Sequence, residues 1–316
     1  MTTIPVRVAD VVDEAEGIRS LRLVRPDGLP FGPHRAGAHV DVVGPTGVLR
    51  QYSLCGPPDD AASLLIAVKR ERSSRGGSAA LHEVAPGDEL HIGAPRNLLG
   101  VDPEADRHVL VAGGIGVTPL LGMAHALHRA GADFTLHYFA RSRSEAAFAD
   151  LLETGFAGRV RLHLGVPRAG HAAVLGPVAA GLGPGAAVYT CGPEGFMDGV
   201  RAVFAPVVGD DRVHVERFTA TEVDTTGDTA FTVALDTGEE FEVPADRSIL
   251  EVLTDNGIEV FRSCEEGVCG SCVSGVVEGV PEHRDSCLSA ADRAAGDQIA
   301  LCVSRARTPR LVVELY

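Results

Sequence analysis

No uncharged apolar run in this 316-residue sequence approaches the roughly 20 residues that cross a bilayer, so a membrane-spanning helix is not expected. The N-terminus, MTTIPVRVADVVDEAEG, has no apolar block ahead of Asp10 and Glu14, so a secretory signal is not expected there. Positive charge is scarce: 28 Lys and Arg stand against 43 Asp and Glu, a formal charge of −15. A surface so acidic repels phosphate backbones and argues against nucleic acid as a partner. The 12 histidines include no H-E-x-x-H pair and read as surface or core residues. No repeat or low-complexity tract stands out. What is present suits ordinary globular cores, with 45% apolar and 22% charged residues. The length suits two or three domains. The expectation is a cytoplasmic protein.

The acidity is uneven. Residues 229–316 hold 16 acidic and 7 basic side chains, a different surface from the rest and the mark of a separate module. The same region holds most of the seven cysteines, an odd number that makes a poor disulfide framework. Their spacing is Cys264-x4-Cys269-x2-Cys272, followed after 29 residues by Cys302. This is the ligand pattern of a plant-type [2Fe–2S] cluster. Three thiolates on one tight loop can embrace an iron–sulfur rhombus, and a distant fourth closes it. Gly267 and Gly270 let that loop turn sharply and aim backbone N–H groups at sulfur. A structural zinc site is the competing reading, but zinc knuckles pair C-x2-C with a second close pair, which is missing here. Cys287 lies between the third and fourth ligands without a partner and reads as a spare thiol.

Three rhythms divide the chain. Residues 1–103 alternate short β-like runs with Gly/Pro turns, among them Val6–Val8, Ile18–Leu23, His39–Val43, Leu64–Val68 and Glu89–Ile92, as in a small antiparallel barrel. Residues 104–220 alternate strands with helices, as in an open α/β sheet. Strands are expected at His108–Ala112, Phe134–Tyr138, Arg159–Leu164 and Ala187–Thr190. Helices are expected at Pro119–Ala130, capped by Thr118, and around Ser144–Leu152. A polar stretch, 221–229, reads as a linker. Residues 230–316 open with a hairpin, Phe231–Leu235 and Glu240–Val243 around Asp236-Thr-Gly238. A helix at Ser248–Asn256, the cysteine loop and a last strand at Arg310–Leu315 follow.

Two groups of motifs accompany the cysteines. In the first, Arg50-Gln51-Tyr52-Ser53 precedes Ala67-Val68-Lys69 and Arg75-Gly76-Gly77-Ser78. A Gly-Gly-Ser turn can offer N–H groups and a hydroxyl to a phosphate, arginine adds charge, and tyrosine can lie beside an aromatic ring. Each piece alone is also an ordinary strand, exposed lysine or flexible turn. In the second group, Gly113-Gly114-Ile115-Gly116-Val117-Thr118-Pro119 and Cys191-Gly192-Pro193-Glu194 both follow apolar strands. Such turns line ligand crevices at the carboxyl ends of parallel strands. Pro119 stands where the dinucleotide fingerprint has its last glycine, so a purely structural turn remains open.

The motifs, in this order, resemble those of the phthalate dioxygenase reductase and vanillate demethylase reductase family along essentially the whole chain. The resemblance implies a multi-domain protein. It would comprise an FMN-binding antiparallel β-barrel (1–103), a ferredoxin-reductase-like α/β parallel-sheet domain for NAD(P)H (104–220) and an α+β β-grasp ferredoxin (230–316). It implies that Arg50, Gln51, Tyr52 and Ser53 hold the flavin, with Ala67, Val68, Lys69, Arg75, Gly76, Gly77 and Ser78 along its phosphate side. Thr118 would lie near the isoalloxazine, Gly114 and Gly116 beside the nucleotide, and Cys191, with Gly192 and Pro193, facing the nicotinamide. Phe218 occupies the position of an aromatic packed near the flavin. Arg141 and Ser142 follow the second strand. No acidic residue stands at that strand end for a ribose 2′-hydroxyl, and arginine there suits NADPH, whereas the resemblance leans to NADH.

The implied activity is conversion of a two-electron donor into one-electron steps. NADH would give a hydride to flavin, and electrons would pass through the cluster to an oxygenase component, a Rieske oxygenase or a cytochrome P450. No acid–base side chain is needed, and none is nominated as catalytic. A redox-sensing module is disfavoured by the hydride-donor motifs. An electron-transfer subunit of a dehydrogenase complex is disfavoured by the 29-residue gap before Cys302.

Overall fold

The computed structural model describes residues 3–71, 76–219 and 225–315. The chain divides into two compact units, Thr2–Glu216 and Arg217–Tyr316.

Seven strands open the first unit: β1 (Ile4–Ala15), β2 (Ile18–Val24), β3 (Ala38–Val43), β4 (Leu49–Ser53), β5 (Leu64–Lys69), β6 (Glu89–Ile92) and β7 (Arg96–Asn97), with helix α1 (Gly77–Leu81) between β5 and β6. They pair in the order β4-β3-β6-β1-β2-β5, with β7 added to β3, and every pairing is antiparallel. Beyond β4, Leu54 bridges Ile66 of β5, and the Cys55 N–H donates to Leu65 O at 2.9 Å. The two ends thus meet, and the sheet closes as a barrel that hides its own edges. Alternation fills the interior. Val6, Val8, Leu21, Leu23, Val40 and Val42 are buried together, while Pro5 and Arg7 between them face out.

The same unit continues with β8 (Arg107–Gly113), α2 (Val117–Arg129), β9 (Phe134–Ala140), α3 (Ala149–Gly155), β10 (Val160–Leu164), α4 (His171–Ala180), β11 (Ala186–Cys191), α5 (Glu194–Val208) and β12 (Val213–Glu216). The strands are all parallel in the order β10-β9-β8-β11-β12. Helix α2 covers one face with Leu120, Leu121 and Leu127, and α4 and α5 cover the other with Leu175, Phe196 and Phe204. Burial on both faces explains why β8 and β11 are apolar without alternation. Ile18, Cys55 and Ala67 of the barrel join the core of α2, so barrel and sheet share packing.

Two local expectations need correction. Helix α2 starts at Val117 with Gly116 as its N-cap, so Thr118 is not the cap. Its hydroxyl lies inside the first turn and donates to Ile115 O at 3.0 Å. The expected helix around Ser144–Leu152 begins only at Ala149, because Phe148 takes a left-handed conformation with φ of 59° and Arg143–Glu145 form a lone 3-10 turn. Helix α4 had no sequence signal: it lacks a polar stripe and contains Pro177.

The second unit contains β13 (Phe231–Leu235), β14 (Glu240–Val243), α6 (Ile249–Asp255), β15 (Val273–Glu278), β16 (Pro281–Glu282), α7 (Ala290–Ala295), β17 (Gln298–Ala300), β18 (Arg305–Ala306) and β19 (Arg310–Glu314). Its main sheet runs β14-β13-β19-β15-β17, with β19 parallel to β13 and the other pairs antiparallel. Helix α6 lays Ile249, Leu250 and Leu253 into the core, and Ser248 and Glu251 cap its start reciprocally. This is the β-grasp expected for residues 230–316. Among the described residues, no helix is long and apolar enough to cross a membrane.

Candidate cofactor and metal sites

The loop between α6 and β15 carries Cys264, Cys269 and Cys272, and Cys302 follows β17. Loop shape depends on Gly267, whose φ is +72°. A Cβ there would stand 2.6 Å from Val303 Cγ2 and 3.1 Å from Asp285 Cα. Only glycine fits. The thiols interact two by two, Cys264 with Cys269 and Cys272 with Cys302, and in each pair one partner holds the other's pKa below its ordinary value. The neighbouring Cys264 thiol is the main reason the Cys269 pKa is lowered. Backbone amides surround all four. Glu266 N–H donates to Cys264 Sγ at 3.3 Å and Cys264 N–H to Cys269 Sγ at 3.5 Å. The amides of Val268, Ser271, Cys302 and Gly267 also act to lower the pKa values of these thiols.

Among the described residues, no three His, Cys, Asp or Glu side chains converge on a single ion position. Two thiol pairs ringed by N–H donors fit an anionic group holding two metals, one pair to each, as a [2Fe–2S] cluster requires. Cys287 is not paired with any of the four. Its thiol donates to Asp285 Oδ2 at 3.4 Å, and burial pushes its pKa up.

In the barrel, β4 divides its motif between two faces, as a strand must. Arg50 and Tyr52 lie opposite Val42 and Val40, and Gln51 and Ser53 opposite Asp41 and His39. Gln51 donates to Asp41 at 2.8 Å, and the same buried carboxylate takes two bonds from Arg96, at 2.7 and 2.9 Å. Gln51 is therefore tied into the barrel wall. Arg50 donates only to Leu49 O among the bonds of its guanidinium, and has no carboxylate partner among the described residues. Gly77 sits against it: a Cβ there would meet Val48 Cγ1 at 3.2 Å and Arg50 Cγ at 3.3 Å. The structure thus brings Arg50 together with Gly76, Gly77 and Ser78 at the start of α1.

The Ser53 hydroxyl is buried without a hydrogen-bond partner among the described residues, a gap that a bound polar group would fill. Tyr52 is half-buried, which raises its pKa to about 12. Val68 and Ala67 are core residues, and Lys69 is exposed and pairs with Glu71 at 2.7 Å. Arg75 lies outside the described residues, as do 221–224 of the expected linker.

At the carboxyl ends of β8 and β11, the two glycine turns touch. A Cβ on Gly116 would fall 2.2 Å from Cys191 O, and one on Gly192 would fall 3.1 Å from Gly113 Cα. The sheet order reverses between these strands, and open α/β sheets bind ligands in the crevice outside such a switch point. Gly114, with φ of +56°, shapes the first turn, and Pro193 caps α5. Cys191 is fully buried, and its pKa is pushed well above the ordinary value, first by desolvation and then by the Glu216 charge.

Glu216 escaped the sequence reading. It pairs in register with Cys191 from the end of β12, its Oε2 is enclosed without a hydrogen bond among the described residues, and desolvation raises its pKa to about 8. Its only sequence signal was its place at the end of a short apolar strand. Arg141 and Ser142 lie on the turn after β9. Phe218 is 42% exposed and belongs to Arg217–Tyr316.

Comparison with known proteins agrees with this geometry. The model of the 2Fe-2S iron-sulfur cluster binding domain matches residues 233–307. Vanillate O-demethylase oxidoreductase of Pseudomonas putida is 44% identical over 310 residues, 96% of this chain and 97% of that protein. The solved structure of phthalate dioxygenase reductase, described as modular for electron transfer from pyridine nucleotides to [2Fe-2S], is 38% identical with a TM-score of 0.72. It covers 99% of this chain and 98% of that one. The chain belongs to the phthalate dioxygenase reductase and vanillate demethylase reductase family. An intact type IV self-sufficient cytochrome P450 monooxygenase matches at 38% identity and a TM-score of 0.90 over 98% of this chain, which spans 41% of that longer protein. The reductase family fold thus occurs both as a separate chain and within a longer oxygenase chain.

Proposed function

We propose that this protein is the reductase component of an oxygenase system, taking electrons from NADH and delivering them to a Rieske oxygenase or a cytochrome P450. The observation that carries this reading is the presence in one chain of two unlike sites. One joins a switch-point crevice between abutting glycine turns with an arginine–glycine cradle in the same unit, and the other is a set of four cysteine sulfurs interacting in two pairs. When bound, FMN would accept a hydride from the nicotinamide and the [2Fe–2S] cluster would pass electrons on singly.

The residues supply position and field. Arg50, Gly76, Gly77 and Ser78 would hold the flavin phosphate, and the buried Ser53 hydroxyl would offer it a hydrogen bond. Gly114, Gly116, Gly192 and Pro193 let the dinucleotide approach backbone, with Cys191 and Glu216 beneath it. Cys264 with Cys269, and Cys272 with Cys302, hold the two irons. The modules run 1–103, 104–220 and 230–316, joined by 221–229, and the acidic third module steers docking of a complementary acceptor. The absence of a spanning helix among the described residues suits a cytoplasmic protein.

Anaerobic titration with NADH and NADPH in parallel, followed by visible and EPR spectra, tests the reading. The expected result is flavin bleaching together with a reduced-cluster EPR signal. Bleaching without that signal would overturn it.

A further inference from the structure

Arginine after the second strand of a dinucleotide-binding sheet ordinarily recognises a 2′-phosphate. Here two arginines stand on that turn, Arg141 and Arg143, yet neither is available as a bare cation. The Arg141 side chain is 86% exposed, but its guanidinium forms an ion pair with Glu145, whose side chain is 29% exposed. Arg143 is gripped twice, by Asp150 and, at 2.8 Å, by Glu153. Three carboxylates therefore answer two guanidiniums, and the turn presents no surplus positive charge.

The turn is also held in place. Gly165 N–H donates to Ala140 O at 2.9 Å, and Glu16 N–H donates to Ser144 O at 2.8 Å, fixing the backbone on both sides of Arg141. The Ser142 and Ser144 hydroxyls stand 3.1 Å apart. Glu145 follows Arg141 by four residues on this pinned segment, so it competes for the guanidinium as a tethered neighbour, at an effective concentration no free ligand matches. A 2′-phosphate would have to displace it and then lie beside a carboxylate.

We infer that Glu145 sets nucleotide selectivity: by neutralising Arg141 it turns an NADPH-type arginine site into one that favours the dinucleotide without a 2′-phosphate. The acid missing from the strand end in sequence is supplied five residues further on, where the 3-10 turn folds it back. This inference rests on the reductase reading above. It names the residue that decides which of the two donors that crevice takes.

The test pairs kinetics with binding of fragments. In the holoprotein, Glu145→Gln should raise the ratio of NADPH to NADH efficiency about two- to fivefold, the worth of releasing one exposed ion pair. Adding Arg141→Ala to it should return the ratio to its starting value. Calorimetry with adenosine 2′,5′-bisphosphate and 5′-AMP reads the same discrimination without electron flow, and Glu145→Gln should strengthen binding of the bisphosphate only. A wild-type protein that uses both donors equally, or an unchanged ratio and unchanged bisphosphate affinity in Glu145→Gln, would overturn the inference. Failure of both nucleotides to reduce the flavin would instead sink the reductase reading, while the fragment measurement still judged Glu145.

Discussion

The cluster loop and the nucleotide crevice solve the same problem, holding a redox group, in opposite ways. In the loop the chemistry resides in side chains: four sulfurs are the proposed ligands, and the backbone serves by turning and by aiming amides. In the crevice the chemistry resides in what side chains leave out. Gly116 lies where a Cβ would be 2.2 Å from Cys191 O, so the surface offered to a ligand is largely peptide. A thiol pattern is therefore readable as a string of letters, whereas a backbone surface is readable only once two distant turns are known to touch.

Replacing a thiol should be the most drastic way to break this contrast. Cys302→Ser is expected to abolish the reduced-cluster EPR signal and acceptor turnover while NADH still bleaches the flavin. Iron analysis with stopped-flow absorbance would show both. Cys287→Ser, outside the paired set, should keep the signal; loss of it would mean that the pairing described above is not the ligand set. Next in size is the crevice. Gly116→Ala forces a methyl against the Cys191 carbonyl, backbone on backbone, with no flexible side chain to yield. Overpacking of this kind costs about 2–3 kcal/mol, and urea unfolding should show it. A midpoint equal to wild type would mean that the two turns do not abut.

Legibility followed the same division. That Cys264, Cys269, Cys272 and Cys302 group together was legible because cysteine spacing is local and the chemistry of sulfur is narrow. The barrel strands were readable from alternation, as in Val6–Arg7–Val8, and β8 from its unbroken apolar run. Glu216 was not readable, since a glutamate ending a strand is usually solvated. Only its pairing with Cys191 across two parallel strands encloses it. Thr118 misled because Ser and Thr are good caps in general, whereas here Gly116 already ends the preceding 3-10 turn. The arginines after β9 left NADPH and NADH both open in sequence, since the letters do not show that Arg141 pairs with Glu145 in three dimensions.

A medium effect with a definite pH signature is expected at Glu216. Its pKa rises from 4.5 to about 8 because burial disfavours the charged form. A carboxyl raised on folding leaves stability intact below the unfolded value and subtracts from it as pH climbs to the folded value. Glu216→Gln should therefore match wild type near pH 4.5 and become the more stable of the two progressively up to pH 8. Beyond that the gap should stay constant, at about 1–2 kcal/mol after allowance for relaxation and partial solvent access. Unfolding midpoints of the two proteins at pH 5, 7 and 9 check the sign. A gap that is constant across these values would show that the carboxyl is already charged and solvated at pH 5.

The smallest expected effect is at Lys69, and it asks whether the flavin side of the barrel belongs with the loop or with the crevice. Its ammonium pairs with Glu71 at 2.7 Å, and both side chains are about half exposed, at 46% and 55%. Exposed pairs of this sort contribute roughly 0.2–1 kcal/mol. A lysine already engaged in solvent gives little to a phosphate, whereas Arg50, with Gly77 against its stem and no carboxylate partner among the described residues, has its charge to give. Lys69→Ala should accordingly weaken FMN binding by no more than about fivefold, the equivalent of ~1 kcal/mol, in a fluorescence titration of the apoprotein. A loss of a hundredfold would show that the lysine leaves Glu71 for the flavin phosphate, making the cradle a side-chain site like the cysteine loop and not the backbone-lined surface its glycines suggest.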